Sequence, residues 1–202
     1  MFMSVKAIEY PFTTEKVAKL KLGDVVKVSG LVFTGRDRLL KHLAAGGKCP
    51  VNLKDGVIYH CGPVMKNNGG VWQVRSAGPT TSIRMEPYMP AVIKNHGIGV
   101  IIGKGGMGDE TRRACKEHGC AYLQPVGGAG CVLAHSIEKV TGVHFTDEFG
   151  EADALWELIA CDLEAMVTMD AQGRSLHRKI ERASSTTLKK LLERGEAKKA
   201  KS

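Results

Sequence analysis

The chain has 202 residues, of which 43% are hydrophobic and 25% charged, with a formal net charge of +8. Those proportions exclude a disordered or fibrous protein and allow one good core, or at most two small ones. The longest apolar runs, such as Ile98 to Ile102, are broken by glycine and too short for a bilayer, and MFMSVKAIEYP lacks the apolar stretch of a secretory signal. A cytoplasmic protein with no membrane partner is therefore expected. The basicity is local. Residues 171–202 carry 10 Lys/Arg and 3 Asp/Glu, whereas residues 1–170 carry 19 and 18. The body is nearly neutral, and a basic tail of this kind reads as a solvated helix end or arm. Six cysteines, at 49, 61, 115, 120, 131 and 161, form no CxxC pair. Their spacing matches neither a zinc pattern nor a ferredoxin run, so reduced thiols are expected and no metal is assigned to this chain.

In chain order, Gly23 to Gly35 reads as a valine-rich strand with a glycine at each end. VIYHCGPVM and VWQVRSA flank Lys66–Gly70, which predicts a hairpin. Ile98 to Ile102 predicts a short buried strand. It runs into the loop Gly103-Lys104-Gly105-Gly106-Met107-Gly108 and a helix that starts at Asp109 and stops before Gly119. CAYLQPV repeats the strand, followed by a second glycine loop and a helix predicted over Cys131 to Val140. Two strand–loop–helix units in tandem predict parallel α/β architecture. VHF and MVTMD read as short strands around a helix at Ala152 to Ala160, and the tail is helical from about Leu176.

Three segments offer positive charge at strand ends. Thr34-Gly35-Arg36-Asp37 places an arginine fork straight after a strand, with Asp37 available to orient it. Gly78-Pro79-Thr80-Thr81-Ser82-Ile83-Arg84 gathers hydroxyls, a possible helix start and Arg84. Gly103-Lys104-Gly105-Gly106 lets the backbone approach a ligand beside Lys104, with the positive end of the next helix behind it. Each has a plain alternative: a surface ion pair, a Ser/Thr helix cap, and a tight turn with a solvated lysine. Taken together they suit a small dicarboxylate at the carboxyl ends of strands. GxxxxGK[ST], a nucleophile elbow and an opening GxGxxG are all missing from the sequence.

GPTTSIRME, followed by GKGGMG, strongly resembles the C-terminal half of class I (iron–sulfur) fumarate hydratases and the β subunit of tartrate dehydratase. GDVVKVSGLVFTGRD, QPVGGAGCVLA, ALW and MDAQGRSL follow in the family's order, over about residues 20–178. The resemblance implies a swivelling β/β/α domain over 1–178, with a basic helix or tail over 179–202. It implies a hydro-lyase that reversibly hydrates fumarate to malate, with tartrate dehydration as the alternative. It also implies a partner α subunit that carries a [4Fe–4S] cluster, in a dimer of αβ pairs. By the same resemblance, Arg36, Thr81, Arg84 and Lys104 bind substrate together with Thr80, which matches the catalytic base. Two positions depart from the family. Leu40 stands where a histidine is usual, the nearest histidine being His42, and LEAMVT replaces FGPLIV.

Two further readings compete. Ile101 to Gly106 also resembles the GXXG loop of a KH domain, and the sequence pI is near 9.2. Asp109 and Glu110, a near-neutral body and an aromatic content of 5% argue against a nucleic-acid partner. A non-catalytic binding module of the same fold is the other rival, opposed by intact Thr80, Arg84 and Lys104.

Overall fold

The computed structural model describes residues 5–199; residues 1–4 and 200–202, the outer ends of the two expected units, lie outside the described residues. The elements in order are β1 (Val5–Glu9), α1 (Thr14–Val17), β2 (Val25–Thr34), α2 (Asp37–Ala44), β3 (Val57–Tyr59), β4 (Val64–Asn68) and β5 (Val71–Ser76). A 3-10 turn (Ser82–Met85), α3 (Met89–His96), β6 (Val100–Ile102), α4 (Asp109–His118) and β7 (Ala121–Gln124) follow. The chain ends with α5 (Gly130–Ala134), β8 (Ile137–His144), α6 (Thr146–Phe149), β9 (Leu155–Met169) and α7 (Leu176–Lys199).

Five of these strands close a barrel. β2, β3, β6 and β7 run parallel, each paired with the next. β9 is antiparallel to both β7 and β2 and seals the ring. β1 extends the sheet beside the first half of β2, and β8 pairs with the first half of β9. The result is a mixed α/β fold.

The short parallel strands are buried on both faces, which explains their unbroken apolar sequence. Alternate residues divide between two cores. Val57, Tyr59, Val100, Ile102, Ala121 and Leu123 join residues of β2 and β9 in the barrel interior. Ile58, Ile101 and Tyr122 face outward onto Leu39, Leu40 and Leu43 of α2, Val92 and Ile93 of α3, and Cys115 of α4. The hairpin β4–β5 turns at Gly69 and Gly70, both with positive φ (61° and 92°), the geometry that matches strand twist.

Two predicted helices are corrected. The one predicted over Cys131 to Val140 ends at Ala134, and the chain re-enters the sheet at Ile137. The one predicted around Ala152 to Ala160 is a turn that runs into β9 at Leu155. Leu, Glu and Ala there have helix propensity, but the segment lies between β2 and β8 and satisfies its backbone on both sides. The second strand–loop–helix unit is thus cut short, and its return strands are antiparallel.

Candidate active site

The carboxyl ends of β2, β3, β6 and β7 lie side by side at one rim, and each delivers part of a polar cluster. After β2, the Gly35 amide donates to Tyr59 O (2.9 Å). Gly35 has little room for a side chain, since a Cβ would meet Leu40 Cδ2 at 3.1 Å. Arg36 follows and leads into α2. Its Nε is buried with no hydrogen-bond partner among the described residues. Its guanidinium lies over Gly62, where a Cβ would stand 2.5 Å from Nη1. Gly62 therefore makes the space that lets a half-buried cation tuck against the β3–β4 link. Cys61 is beside it; burial pushes this thiol up to about 12, with the Arg36 charge opposing, so it stays protonated.

The Thr80 segment is stitched between two strand ends. Pro79 bridges to Cys61, the Thr80 amide donates to His60 O (2.7 Å), Thr81 bridges to Lys104, and the Ser82 amide donates to Lys104 O (2.9 Å). The hydroxyl segment and the lysine loop are thereby fixed to one another through backbone. Beyond it, Arg84 Nη2 donates to both Thr80 Oγ1 (3.2 Å) and Asp37 Oδ2 (3.1 Å). Asp37, expected to orient Arg36, instead accepts from Arg84.

In the glycine loop, the Gly105 amide donates to Gln124 Oε1 at the end of β7 (3.1 Å). Gly106 has φ 77° and is covered by His177 of α7, whose Nδ1 would lie 2.9 Å from a Cβ. Lys104 is half-buried and pairs with no carboxylate among the described residues. The positive end of α4, expected to face a ligand, is already closed. Glu86 accepts from the amides of Gly108, Glu110 and Thr111 (2.7–3.1 Å) and from the Thr111 hydroxyl (2.7 Å). An anion at a helix N-terminus is stabilised by those free donors, and here the protein supplies its own.

Beneath the rim sits a neutral buried network that the sequence reading missed. The Tyr122 hydroxyl donates to Ser82 Oγ (2.9 Å), which also pairs with His60 Nδ1 (3.0 Å). His60 is fully buried, which lowers it to about 3 and keeps the ring uncharged; its Nε2 has no partner among the described residues. Burial raises Tyr122 as well. A histidine straight after a short apolar strand is the one local signal for His60. Glu86 and Tyr122 reach across 22 to 40 positions, and no local pattern marks them.

All five expected residues thus lie along one rim: Arg36 and Asp37 are adjacent, Asp37 pairs with Arg84, Arg84 with Thr80, and Thr81 with Lys104. Of the three cations only Arg84 pairs with a carboxylate, that of Asp37, among the described residues, which leaves a positive surface suited to a dianion. Thr81 and Arg84 remain exposed, so the cluster is an open face. The family's usual histidine is not recovered by a shift in register. α2 is regular, Leu40 is buried in the core, and His42 faces Phe145 and Phe149 and bonds Lys48 O. Among the described residues no three His, Cys, Asp or Glu side chains stand close enough to hold a metal. The residues present do not fit an iron–sulfur cluster.

The fumarase C-terminus family model matches residues 3–180. A Geobacillus stearothermophilus protein with the provisional name fumarate hydratase class I is 47% identical over 190 residues, which is 94% of this chain and 37% of that protein. The chain thus spans little more than a third of that relative. A Methanocaldococcus jannaschii protein, provisionally named L(+)-tartrate dehydratase subunit beta, is 36% identical over 92% of this chain and 99% of its own length. The L(+)-tartrate dehydratase subunit beta of Escherichia coli K12 is 31% identical over 85% of this chain and 86% of its own. No described helix is long and apolar enough to cross a membrane. On the extent of these matches, the chain belongs to the fumarase C-terminus family.

Proposed function

We propose that this chain is the β subunit of an iron–sulfur hydro-lyase that reversibly adds water to a small dicarboxylate, fumarate giving malate. The observation that carries the reading is the contact run Lys104–Thr81–Thr80–Arg84 at the mouth of the barrel, in a chain whose relatives bear those enzymes' names. In this reading the fold is the swivelling β/β/α type over 1–178, with 179–202 as a basic appendage. A partner α subunit carries the [4Fe–4S] cluster, and two αβ pairs associate.

The physical task is a proton transfer at a carbon beside a carboxylate, which builds negative charge on that carboxylate. Arg36, Arg84 and Lys104 supply fixed positive charge where it builds, and they orient the substrate. Thr81, exposed beside Lys104, adds a hydroxyl contact. Thr80 serves as the base. Arginine has no acceptor, so the Arg84–Thr80 bond must run from guanidinium to hydroxyl oxygen. That leaves the hydroxyl proton free to move and places a cation against the oxygen that loses it, which eases the deprotonation of an otherwise very weak acid.

Tartrate is the second reading, favoured by the names of two of the relatives. The test is anaerobic co-expression with the cluster-bearing partner, assaying fumarate and tartrate side by side, with and without this chain. Oxygen-sensitive turnover that needs both chains is expected, and the preferred substrate decides between the two. A stable complex with an intact cluster and no turnover on either would overturn both substrate assignments, pointing first to another hydroxy-dicarboxylate and second to a non-catalytic module.

A further inference from the structure

Arg84 stands on a 3-10 turn with an exposed side chain, yet one of its nitrogens has two defined partners. Nη2 carries two N–H groups, and Asp37 Oδ2 and Thr80 Oγ1 are the two acceptors within reach, at 3.1 and 3.2 Å. Asp37 belongs to another element, the first turn of α2. The ion pair is open to solvent, with the two side chains 47% and 41% exposed, and pairs this exposed add little to stability. Its consequence is geometric. Without Asp37, nothing else in the described residues holds the guanidinium against the threonine, because Asp37 and Thr80 are its two hydrogen-bond partners there. With both Nη2 protons taken, Nε–H and the two protons of Nη1 are left for an incoming carboxylate.

We propose that Asp37 is a positioning residue: it holds Arg84 Nη2 on the Thr80 hydroxyl, so that one guanidinium serves the base and the substrate together. The inference rests on the hydro-lyase reading for its catalytic consequence, but the positioning has a readout of its own. Asp37 touches neither the substrate nor the reacting atoms; it acts through Arg84. Its neighbours from the packed elements are Arg36 at the start of α2 and Arg84 on the turn, so its charge also offsets part of the positive rim.

The test uses Asp37→Ala and Asp37→Asn in the active αβ complex. Misplacing a positioning group by about 1 Å costs up to ~10²-fold in rate. Asp37→Ala is therefore expected to lower kcat about 10- to 100-fold while KM moves less than about 3-fold, since three cations still attract the dianion. Asp37→Asn keeps an acceptor oxygen and is expected to recover most of the lost kcat. The thermal midpoint should not move in either, which separates positioning from folding. In an Arg84→Ala background, Asp37→Ala should cost nothing further, as expected for two residues acting as one unit. A full second loss there, or an unchanged kcat in Asp37→Ala, overturns the proposal. Independently of turnover, nitrogen-15 spectra of the full-length chain should show slow rotation of the Arg84 guanidinium in wild type and Asp37→Asn, and fast rotation in Asp37→Ala. Slow rotation in a wild-type complex that hydrates no dicarboxylate would sink the hydro-lyase reading and keep the positioning; fast rotation in an active wild-type complex would do the reverse.

Discussion

Gly103→Ala tests whether the buried network supports the rim. The Gly103 backbone is outside the left-handed region, so alanine meets no dihedral penalty and the cost is one of space. A Cβ there would overlap Ser82 Oγ and stand 3.0 Å from His60 Nδ1 and 3.1 Å from Tyr122 OH. Ser82 can escape by rotating, but it then gives up its bonds to both neighbours. Leaving buried polar groups unpaired costs about 1–3 kcal/mol each, and overpacking adds about 1–3 kcal/mol. Allowing for partial relaxation, the expected loss is about 3–5 kcal/mol. Gly105→Ala is the comparison: φ is 82° and nothing lies within 4 Å, so only the left-handed strain of about 1–2 kcal/mol applies. Urea unfolding of wild type, both variants and Ser82→Ala/Gly103→Ala measures this. The double variant removes the overlapping oxygen and should be no less stable than Ser82→Ala alone. If Gly103→Ala stays within about 1 kcal/mol of wild type, or Gly105→Ala costs more, the packing argument is wrong.

Further outcomes are expected. Arg84→Ala or Lys104→Ala in the reconstituted complex should lower kcat/KM at least ~10²-fold with little change in thermal midpoint; near-wild-type rates in both would remove them from the site. Glu86→Ala strips one acceptor from three amides and a hydroxyl, and should cost about 2–4 kcal/mol in a denaturant titration; a loss below about 1 kcal/mol would mean the α4 terminus is capped equally well by water. His60 has a folded value lowered to about 3 from 6.5, so below pH 6.5 the unfolded chain binds a proton the folded chain refuses. Stability is then present above pH 6.5 and falls as pH drops toward 3, with a slope approaching about 1.4 kcal/mol per pH unit from this group. His60→Asn should flatten the slope between about pH 6 and 5 relative to wild type, a window above the ordinary carboxylate values of about 4; an unchanged slope would show that His60 is not the group responsible.

The legible parts of the fold were those where local pattern and tertiary role agree. β2, β6, β7 and α4 with its Gly119 stop carry apolar runs, glycine punctuation and first-turn acids that the packing uses as they stand. β9 was not legible. Its first half contains Leu155, Glu157, Leu158 and Ala160, which suit a helix, and only pairing with β2 on one side and β8 on the other makes it a strand. In the candidate site, the cations and hydroxyls that share the rim stand after glycines near strand ends, a local pattern the sequence displays. Their supports show no such pattern, because Glu86, Tyr122 and Asp37 act across 22, 40 and 47 positions.

The rim therefore divides its work in a physically sensible way. Cations grouped near one another repel, and an open face of Arg36, Arg84 and Lys104 gains little stability from itself. Apart from the Asp37–Arg84 pair, the protein holds that arrangement with backbone rather than with counter-charge. Thr80 and Ser82 are held by amide hydrogen bonds to the carbonyls of His60 and Lys104, just past the ends of β3 and β6, and Ser82 is anchored below by neutral His60 and Tyr122. Glu86, two residues beyond Arg84, is taken up by the α4 amides and leaves Lys104 uncompensated. In the proposed function, an uncharged foundation under a positive face keeps the field for the dicarboxylate. A charged His60 in the same place would add a buried repulsion with no partner, which is why burial deep enough to keep it neutral matters to the site as much as to the core.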